Sequence, residues 1–305
     1  MIENISTVGN YVLILFILIG VGFAANKLKI LTRQGAKEMT DFVLYIVTPC
    51  VIINSYQREF DQDMLNGLII TVVAAVLSFA VNIFLAHLLV RDKDARREKT
   101  LRFGAVFSNC GYMSLPLQSA LLGDTGVFYG ATYVAIFQIV LWTYGVILMS
   151  GSVKAISVKK IFINPGVIST LIGVIIFFFS IKVPFTVSQP IGFLAALNTP
   201  IPMVIVGFHL AGASLRVKGT SAWISIVFRL IVSPLLMILG LYACSITGTV
   251  MVACVIAVSA PVAAATTMFS EKFDADTGLS ATTVSLTTLL SIITMPIIVG
   301  IATML

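Results

Sequence analysis

Two interrupted apolar segments contain the residues whose chemistry is best suited to binding a ligand. One is SNCGYMSLP at residues 108–116, and the other is SAP at residues 259–261. A proline inside a helix removes a backbone hydrogen bond and clashes with the preceding turn, and glycine loosens the backbone further. Each segment is therefore predicted to break the helix that contains it.

The broken helices would bring half-helix ends into the membrane interior. Half-helix N-termini carry unpaired N–H groups and partial positive charge, which suit an anion such as a carboxylate. The carbonyls at the opposite ends are able to hold a cation or a proton-carrying water. The residues expected to bind the anion are Asn109, Gly111, Ser114, Pro116, Pro261, Thr266, Thr267 and Arg229, and those expected along an ion or proton path are Ser108, Gln118, Gln138 and His209. The alternative is a pair of proline kinks that neighbouring helices seal.

Several polar side chains in the apolar segments have two interpretations. Arg229 lies about 12 Å deep at 1.5 Å per residue, where it either pairs with a carboxylate or extends towards the lipid head groups. His209 is either an interfacial or packing residue or part of a proton relay. Gln138 either hydrogen-bonds across helices or lines the path. Pro200 and Pro202, with Asn198 and Thr199, break the seventh run and either form a wall of the binding site facing the crossover or belong to a structural kink, and Pro49 in the second run has the same two interpretations.

The composition predicts an all-α membrane protein. Of the 305 residues, 58% are hydrophobic and only 10% are charged, whereas a soluble domain has about 25% charged residues. The apolar runs are continuous, unlike the alternating strands of a membrane β-barrel. The 4 cysteines form no C-x-x-C pair, so the sequence indicates no metal or redox site.

Ten apolar runs are predicted to be membrane-spanning helices. They lie at residues 9–26, 39–56, 66–90, 101–122, 126–150, 164–181, 190–213, 220–243, 249–270 and 277–303. A helix needs about twenty apolar residues to cross the hydrocarbon layer. Their connections are too short to fold as separate domains, so any ligand must bind within the membrane.

Lysine and arginine residues predict the orientation of the chain. The connections on one side contain 16 of them, those on the other side contain 2, and Arg229 lies inside a run. Because basic connections stay in the cytoplasm, both termini are expected outside a plasma membrane or bacterial inner membrane. The position of these basic residues beside the lipid bilayer explains the net charge of +6. The bilayer is therefore an expected partner, and nucleic acid is not.

The two halves of the chain repeat at a nearly constant offset. Short matches, such as DTG at residues 124–126 and 276–278, recur 151–153 residues apart, and the offset places Asn109 opposite Pro261. The predicted organisation is a first repeat at residues 1–150, a cytoplasmic connection at 151–163 and a second repeat at 164–305. Because each repeat contains five helices, the second must be inverted, which is typical of secondary transporters.

The chain resembles the auxin efflux carrier family over nearly its whole length. The shared features are the order of the runs, the N-x-G-x-x-x-x-P pattern of Asn109, Gly111 and Pro116, Pro261 in the ninth run and TP at residues 48–49. The resemblance implies a 5+5 inverted repeat like the bile-acid sodium symporter fold, with helices 4 and 9 broken and crossing. It also implies a scaffold of helices 1, 2, 6 and 7, against which a transport domain of helices 3–5 and 8–10 moves as an elevator. The short fifth connection is typical of microbial members, which are usually assigned to dicarboxylates such as malate or malonate, whereas plant members export auxin.

The expected function is secondary transport of a small organic anion, namely a carboxylate such as malate, malonate or an auxin-like acid. No cofactor is expected, since the chain lacks the nucleotide-binding motif G-x-x-x-x-G-K-[ST], and the coupling ion is either H⁺ or Na⁺. The alternative is a passive anion channel or a substrate sensor on a transporter fold. An intramembrane enzyme is disfavoured because the 2 histidines lie near the ends of their runs and form no catalytic or metal-binding set. A homodimer through the scaffold helices is a further expectation.

Overall fold

The structure is a computed structural model that describes residues 2–157, 159, 163–212 and 215–305. Helices joined by short turns make up this part of the chain, and it contains no β-strand beyond an isolated two-residue bridge. The prediction of an all-α polytopic membrane protein is confirmed, whereas the number of ten spans stays a prediction. The described residues include 6 helical segments that are long and apolar enough to cross a membrane, at Val8–Lys27, Gln62–Leu89, Cys110–Ser150, Phe185–Leu210, Thr220–Ala243 and Thr277–Ala302.

The helices of the two halves follow one another with few residues between them. Those of the first half are α1 (Ile2–Lys27), α2 (Arg33–Phe42), α3 (Thr48–Tyr56), α4 (Gln62–Leu89), α5 (Ala95–Val106), α6 (Leu115–Val140) and α7 (Val146–Ser150). Those described in the second half are α8 (Pro165–Phe178), α9 (Phe185–Ala196), α10 (Pro200–Leu210), α11 (Thr220–Val227), α12 (Ser233–Ala243), α13 (Gly248–Ser259), α14 (Ala265–Lys272) and α15 (Thr277–Ala302). Residues 158 and 160–162 of the predicted connection, and residue 213 at the predicted end of the seventh run, lie outside the described residues.

Wider π-helical turns join several of these helices where a proline follows. The turns Val43–Val47, Cys110–Ser114 and Phe228–Val232 each end two residues before a proline, at Pro49, Pro116 and Pro234. Proline has no N–H to donate, and its ring clashes with the carbonyl one turn earlier. A wider turn changes the hydrogen-bond register at this point, so that the carbonyl one turn before the proline does not need the N–H that proline lacks. A left-handed residue, Gly123 with φ of 62°, separates the two parts of α6.

Helix α13 lies at the centre of the bundle. Every residue from Met251 to Ser259 is buried, and the helix contacts α4, α6, α12 and α15. A helix that is apolar on all sides is expected to face either lipid or other protein, and here the neighbouring helices enclose it. The centre of the second half is therefore in contact with the first half, through α4 and α6.

Helices α1 and α10 pack backbone against backbone. A Cβ atom added to Gly22 would lie 2.0 Å from the carbonyl oxygen of Val204, and one added to Gly207 would lie 1.9 Å from that of Ile19. Both distances are far inside van der Waals contact, so only glycine permits this approach. Small residues at such positions are typical of helix pairs in membranes.

Candidate functional site

The chain breaks in both halves meet as a short antiparallel bridge. The N–H of Asn109 donates to the carbonyl oxygen of Pro261 at 2.7 Å, and the N–H of Ala263 donates to that of Phe107 at 2.9 Å. The break predicted near Asn109 thus lies between α5 and the turn Cys110–Ser114, and its partner lies between α13 and α14. The predicted placement of Asn109 opposite Pro261 agrees with this hydrogen bond.

The bridge satisfies backbone groups that would otherwise be unpaired inside the bilayer. An unpaired N–H or C=O in hydrocarbon costs several kcal/mol, so a helix is broken there only where protein or a polar cavity replaces the lost bonds. The bridge uses 2 such bonds between Phe107–Asn109 and Pro261–Ala263. A third donor, the N–H of Val262, is bound by the hydroxyl oxygen of Thr287 in α15 at 3.1 Å.

Side chains of the first half bind carbonyl oxygens along α13. The hydroxyl of Ser108 donates to Ala257 at 2.8 Å, that of Ser114 donates to Ile256 at 3.1 Å, and the amide of Gln118 donates to Ala253 at 2.8 Å. The sequence predicted Ser114 as a ligand-binding residue and the other two as part of an ion path. The structure places their donor groups in the contact between the two halves.

The other predicted binding residues of the crossover differ in exposure. Asn109 is 6% exposed, and no described residue forms a hydrogen bond with its side-chain amide. Pro116 is buried in the first turn of α6, and Gly111 is half-buried with nothing within 4 Å of an added Cβ atom. Thr266 is fully buried, and its hydroxyl has no partner among the described residues. Its neighbour Thr267 is half-buried.

Gln138 and His209 lie away from the crossover bridge. The amide of Asn164, which also caps the N-terminus of α8, donates to the side-chain oxygen of Gln138 at 3.2 Å. Gln138 was expected either to form a hydrogen bond across helices or to line the path, and this contact is a hydrogen bond across helices. His209 is exposed near the end of α10, and its ring centroid lies 5.5 Å from that of Phe208.

Arg229 lies against the ends of the broken helices. It is 1% exposed, and its guanidinium donates to the carbonyl oxygens of Ala105, Val106 and Val258 and to the hydroxyl of Ser233. These hydrogen bonds direct it towards the crossover rather than towards the head groups.

A cavity of about 210 Å³ lies beside the N-terminal part of α6. Its walls come from the C-terminal part of α3, from α6, and from the junction of α9 with α10. The lining residues are Val51, Asn54, Ser55, Leu115, Ser119, Asp124, Val127, Gly192, Ala195, Ala196, Asn198 and Thr199. Leu115 lies between the predicted binding residues Ser114 and Pro116, so the cavity adjoins the half-helix that begins at the crossover. None of the predicted anion-binding residues is itself in the lining.

The cavity is lined by polar groups that a ligand could bind. Asn198 is 4% exposed, and its side-chain oxygen has no hydrogen-bond partner in the described part of the chain. Asp124 is the acidic residue of the lining. Arg58, just beyond α3, donates to the carbonyl of Ser55 at 2.8 Å and lies 5.2 Å from the ring of Phe128. Burial lowers the pKa of Arg58, and the nearby carboxylate of Asp124 opposes this shift.

The segment that was expected either to form a wall of the site or to kink the seventh run contributes to this cavity. Of its residues, Asn198 and Thr199 line the cavity, whereas Pro200 and Pro202 do not. Asn54, Ser119 and Asp124 were missed as cavity residues. The only signal for Asn54 is a pair of polar residues, Asn54 and Ser55, within an apolar run. Among the described residues, no group of three or more His, Cys, Asp or Glu is placed to hold a metal ion.

Replacing Thr287 with valine is expected to weaken the crossover. The substitution keeps the shape of the side chain but leaves the N–H of Val262 without an acceptor. An unsatisfied buried donor costs about 1–3 kcal/mol, and thermal unfolding of the purified protein should begin at a correspondingly lower temperature.

The matched control is Thr283→Val in the same helix. The hydroxyl of Thr283 bonds only the carbonyl of Leu279 one turn earlier, which already takes part in the helix. Loss of the Thr283 hydroxyl should therefore change the unfolding temperature little. Equal destabilisation by both substitutions would show that the bond from Val262 is unimportant.

The bundle, with two broken helices joined at their breaks, defines a multi-pass membrane protein of the transporter class. A family model described as membrane transport protein matches residues 7–299. The chain therefore belongs to this family of membrane transporters, which are not enzymes, and the resemblance to auxin efflux carriers is confirmed.

Relatives of similar length match almost the entire chain. A protein of Methanothermobacter thermautotrophicus named "uncharacterized transporter" is 23% identical over 290 residues, which cover 94% of this chain and 95% of that protein. A second "uncharacterized transporter", from Methanocaldococcus jannaschii, is 25% identical over 298 residues, with coverage of 92% and 94%. A protein of Rhizobium meliloti named "putative malonate transporter" is 23% identical over 299 residues, with coverage of 93% and 92%.

Proposed function

We propose that this protein is a secondary transporter that moves a small carboxylate by alternating access. The observation that carries the proposal is the position of the cavity. Its walls combine α3 and the junction of α9 with α10, which belong to the scaffold in the proposed division, with α6, which belongs to the transport domain. A ligand held between two groups of helices changes its exposure when one group moves against the other.

The size of the cavity and its neutral amide and hydroxyl groups suit a short carboxylate, and the guanidinium of Arg58 offsets the negative charge of Asp124 in the lining. A volume of about 210 Å³ equals about seven water-sized volumes of roughly 30 Å³, which is room for an acid of three or four carbon atoms. The relative from Rhizobium meliloti that is named "putative malonate transporter" supports the same class of substrate. In this proposal, the amides of Asn54 and Asn198, which line the cavity, donate neutral hydrogen bonds to the ligand, and the half-helix that starts at Cys110 supplies positive partial charge.

The proposed movement is that of an elevator. The transport domain comprises helices 3–5 and 8–10 of the predicted spans, and the scaffold comprises helices 1, 2, 6 and 7. Helix α1 packs on α10, and α3 packs on α8 and α9, so the helices of the proposed scaffold contact one another. We further propose that both termini lie outside the plasma membrane or bacterial inner membrane, as the basic connections predict.

Counterflow in liposomes tests this proposal. Purified protein is reconstituted with unlabelled malonate inside, and uptake of labelled malonate is followed after dilution. A carrier exchanges external label for the trapped pool, so uptake should rise transiently above the level in vesicles without internal malonate. A passive channel would show no such stimulation, and this outcome would refute alternating access. Malate and acetate, tested in the same way, define the preferred chain length.

A further inference from the structure

Arg229 is a fully buried cation without an acidic partner in the described structure. It is 1% exposed, lies in the π-helical turn Phe228–Val232, and forms no ion pair with any described carboxylate. A buried charge is strongly unfavourable unless polar groups compensate it. An arginine side chain also stays protonated at physiological pH. The compensating groups must therefore be sought among neutral neighbours.

The neutral neighbours are the C-terminal carbonyls of both broken helices. One terminal nitrogen, Nη1, donates to the carbonyls of Ala105 at 3.2 Å and Val106 at 3.0 Å, where α5 ends. The other, Nη2, donates to the carbonyl of Val258, one residue before α13 ends. A helix C-terminus carries about half a negative charge. Two such ends together match the single positive charge of the guanidinium.

Hydrogen bonds from other helices hold the guanidinium in place. Nη2 also donates to the hydroxyl of Ser233 at 3.0 Å, and this hydroxyl donates to the side-chain oxygen of Asn82 at 2.9 Å. Four of the five N–H donors of an arginine are thus used, and Nε has no partner among the described residues. Arg229 is absent from the cavity lining, so it acts on the site through the helix ends and not by contact with a ligand.

Unwound carbonyls at half-helix C-termini are the groups that coordinate Na⁺ in ion-coupled transporters with broken helices. Here those carbonyls are already bound by a side chain. We propose that the guanidinium of Arg229 takes the place of a bound alkali cation at the crossover, so that a carboxylate binds to this protein without Na⁺. This inference rests on the proposed function, since it concerns the cation requirement of the same carboxylate site.

The charge of Arg229 also decides which sign of ligand the crossover favours. The two breaks supply two C-terminal ends and two N-terminal ends, whose partial charges nearly cancel. Once the guanidinium neutralises the C-terminal ends, the positive N-terminal ends remain. Arg229 is therefore a positioning and charge-setting residue that makes the crossover favourable for an anion.

The test measures binding of malonate, malate and acetate to the purified full chain by the rise in its thermal unfolding temperature. Each titration is run in sodium and in choline salts of equal ionic strength. For the wild-type protein, the affinity for the best carboxylate should agree within about twofold in the two salts. In Arg229→Met, the affinity in choline should fall at least about tenfold and recover when guanidinium ion, which fits the vacated position, is added.

Two further variants keep this test decisive. Lys182→Met removes a cation that is 87% exposed beside Glu59, and it should leave binding unchanged in both salts. If Arg229→Met does not fold, Arg229→Lys keeps the charge and should still bind the carboxylate in choline.

A wild-type protein that binds carboxylate only with Na⁺ would overturn this inference and leave the proposed function intact. Wild-type affinity retained by Arg229→Met in choline would also overturn it. No binding of any carboxylate by the wild type would overturn the proposed function and this inference with it.

Discussion

Replacing Gly192 with leucine is expected to slow carboxylate counterflow strongly while leaving the protein folded. Gly192 lines the cavity from α9, and a Cβ atom added to it would have only the side-chain oxygen of Asn54, at 3.8 Å, within reach. The added side chain would therefore extend into the cavity without displacing protein atoms. Leucine is also a better helix former than glycine, so the helix itself should not be weakened.

The size of this effect follows from the cost of forcing a ligand into occupied space. Overpacking costs about 1–3 kcal/mol, which corresponds to about 5- to 150-fold weaker binding. Uptake of labelled malonate at concentrations below saturation should fall by a similar factor. The quantity to measure is the initial rate of counterflow per folded protein in the vesicles.

Gly240→Leu is the matched control for this substitution. Gly240 lies on the exposed face of α12, and an added Cβ atom would have nothing within 4 Å. The same change of residue type should leave counterflow unaltered, because it alters only the lipid-facing surface. Full activity of Gly192→Leu would mean that the cavity beside α6 is not the route of the substrate.

Replacing Gly207 with alanine is expected to give the largest loss of stability. The new methyl group would lie 1.9 Å from the carbonyl oxygen of Ile19, so α1 and α10 would have to separate along their length. Neither partner can relax by rotating a side chain, since the clash involves backbone atoms. We expect the free energy of unfolding to fall by about 3 kcal/mol, at the upper end of overpacking effects. Thermal or denaturant unfolding of the purified protein measures this change.

The control for the glycine contact is Gly20→Ala in α1. Gly20 lies two residues before Gly22 but on the exposed side of the helix, with nothing within 4 Å of an added Cβ atom. This substitution should be neutral or slightly stabilising, because alanine has the higher helix propensity. If Gly207→Ala were as stable as Gly20→Ala, the close approach of α1 and α10 would be disproved.

The breaks of the two helices could be predicted because their cause is local. Proline and glycine act on the backbone wherever they occur, so Pro261 indicated an interruption at its own position, whereas the break of the first half lies at residues 107–109, just before Gly111 and Pro116. The offset of the repeat then indicated that the two breaks occupy equivalent positions, and the structure joins the two breaks by the hydrogen bond between Asn109 and Pro261.

The cavity could not be predicted in the same way. Its polar residues come from separate helices, and each of them alone resembles an ordinary residue at a helix end. The partners of Arg229 were hidden for another reason. They are mostly backbone carbonyls, such as those of Ala105 and Val258. Every residue type has a backbone carbonyl, so the sequence does not show which of them bind a side chain.

The starts of two helices also extend beyond the apolar runs. The fourth run was predicted to begin at residue 101, but α5 begins at Ala95, where the carboxylate of Asp94 accepts from the N–H groups of Arg96 and Arg97. The second run was predicted to begin at residue 39, whereas α2 begins at Arg33 behind the cap of Thr32. Hydropathy detects only the part of a helix that lies in hydrocarbon. A capping residue stabilises further helical turns outside the hydrocarbon, and hydropathy does not detect these turns.

The burial of α13 has a consequence for how the chain is made. With 12 residues, α13 is about 18 Å long at 1.5 Å per residue, less than the roughly 30 Å of the hydrocarbon layer. It is too short to cross a bilayer by itself, and the side chains that bind its carbonyls, Ser108, Ser114 and Gln118, lie in the part of the first half from the break to α6, which is synthesised much earlier. The side chains of the first half therefore lack these acceptors until α13 has been synthesised, so the two halves reach their final packing late in biogenesis.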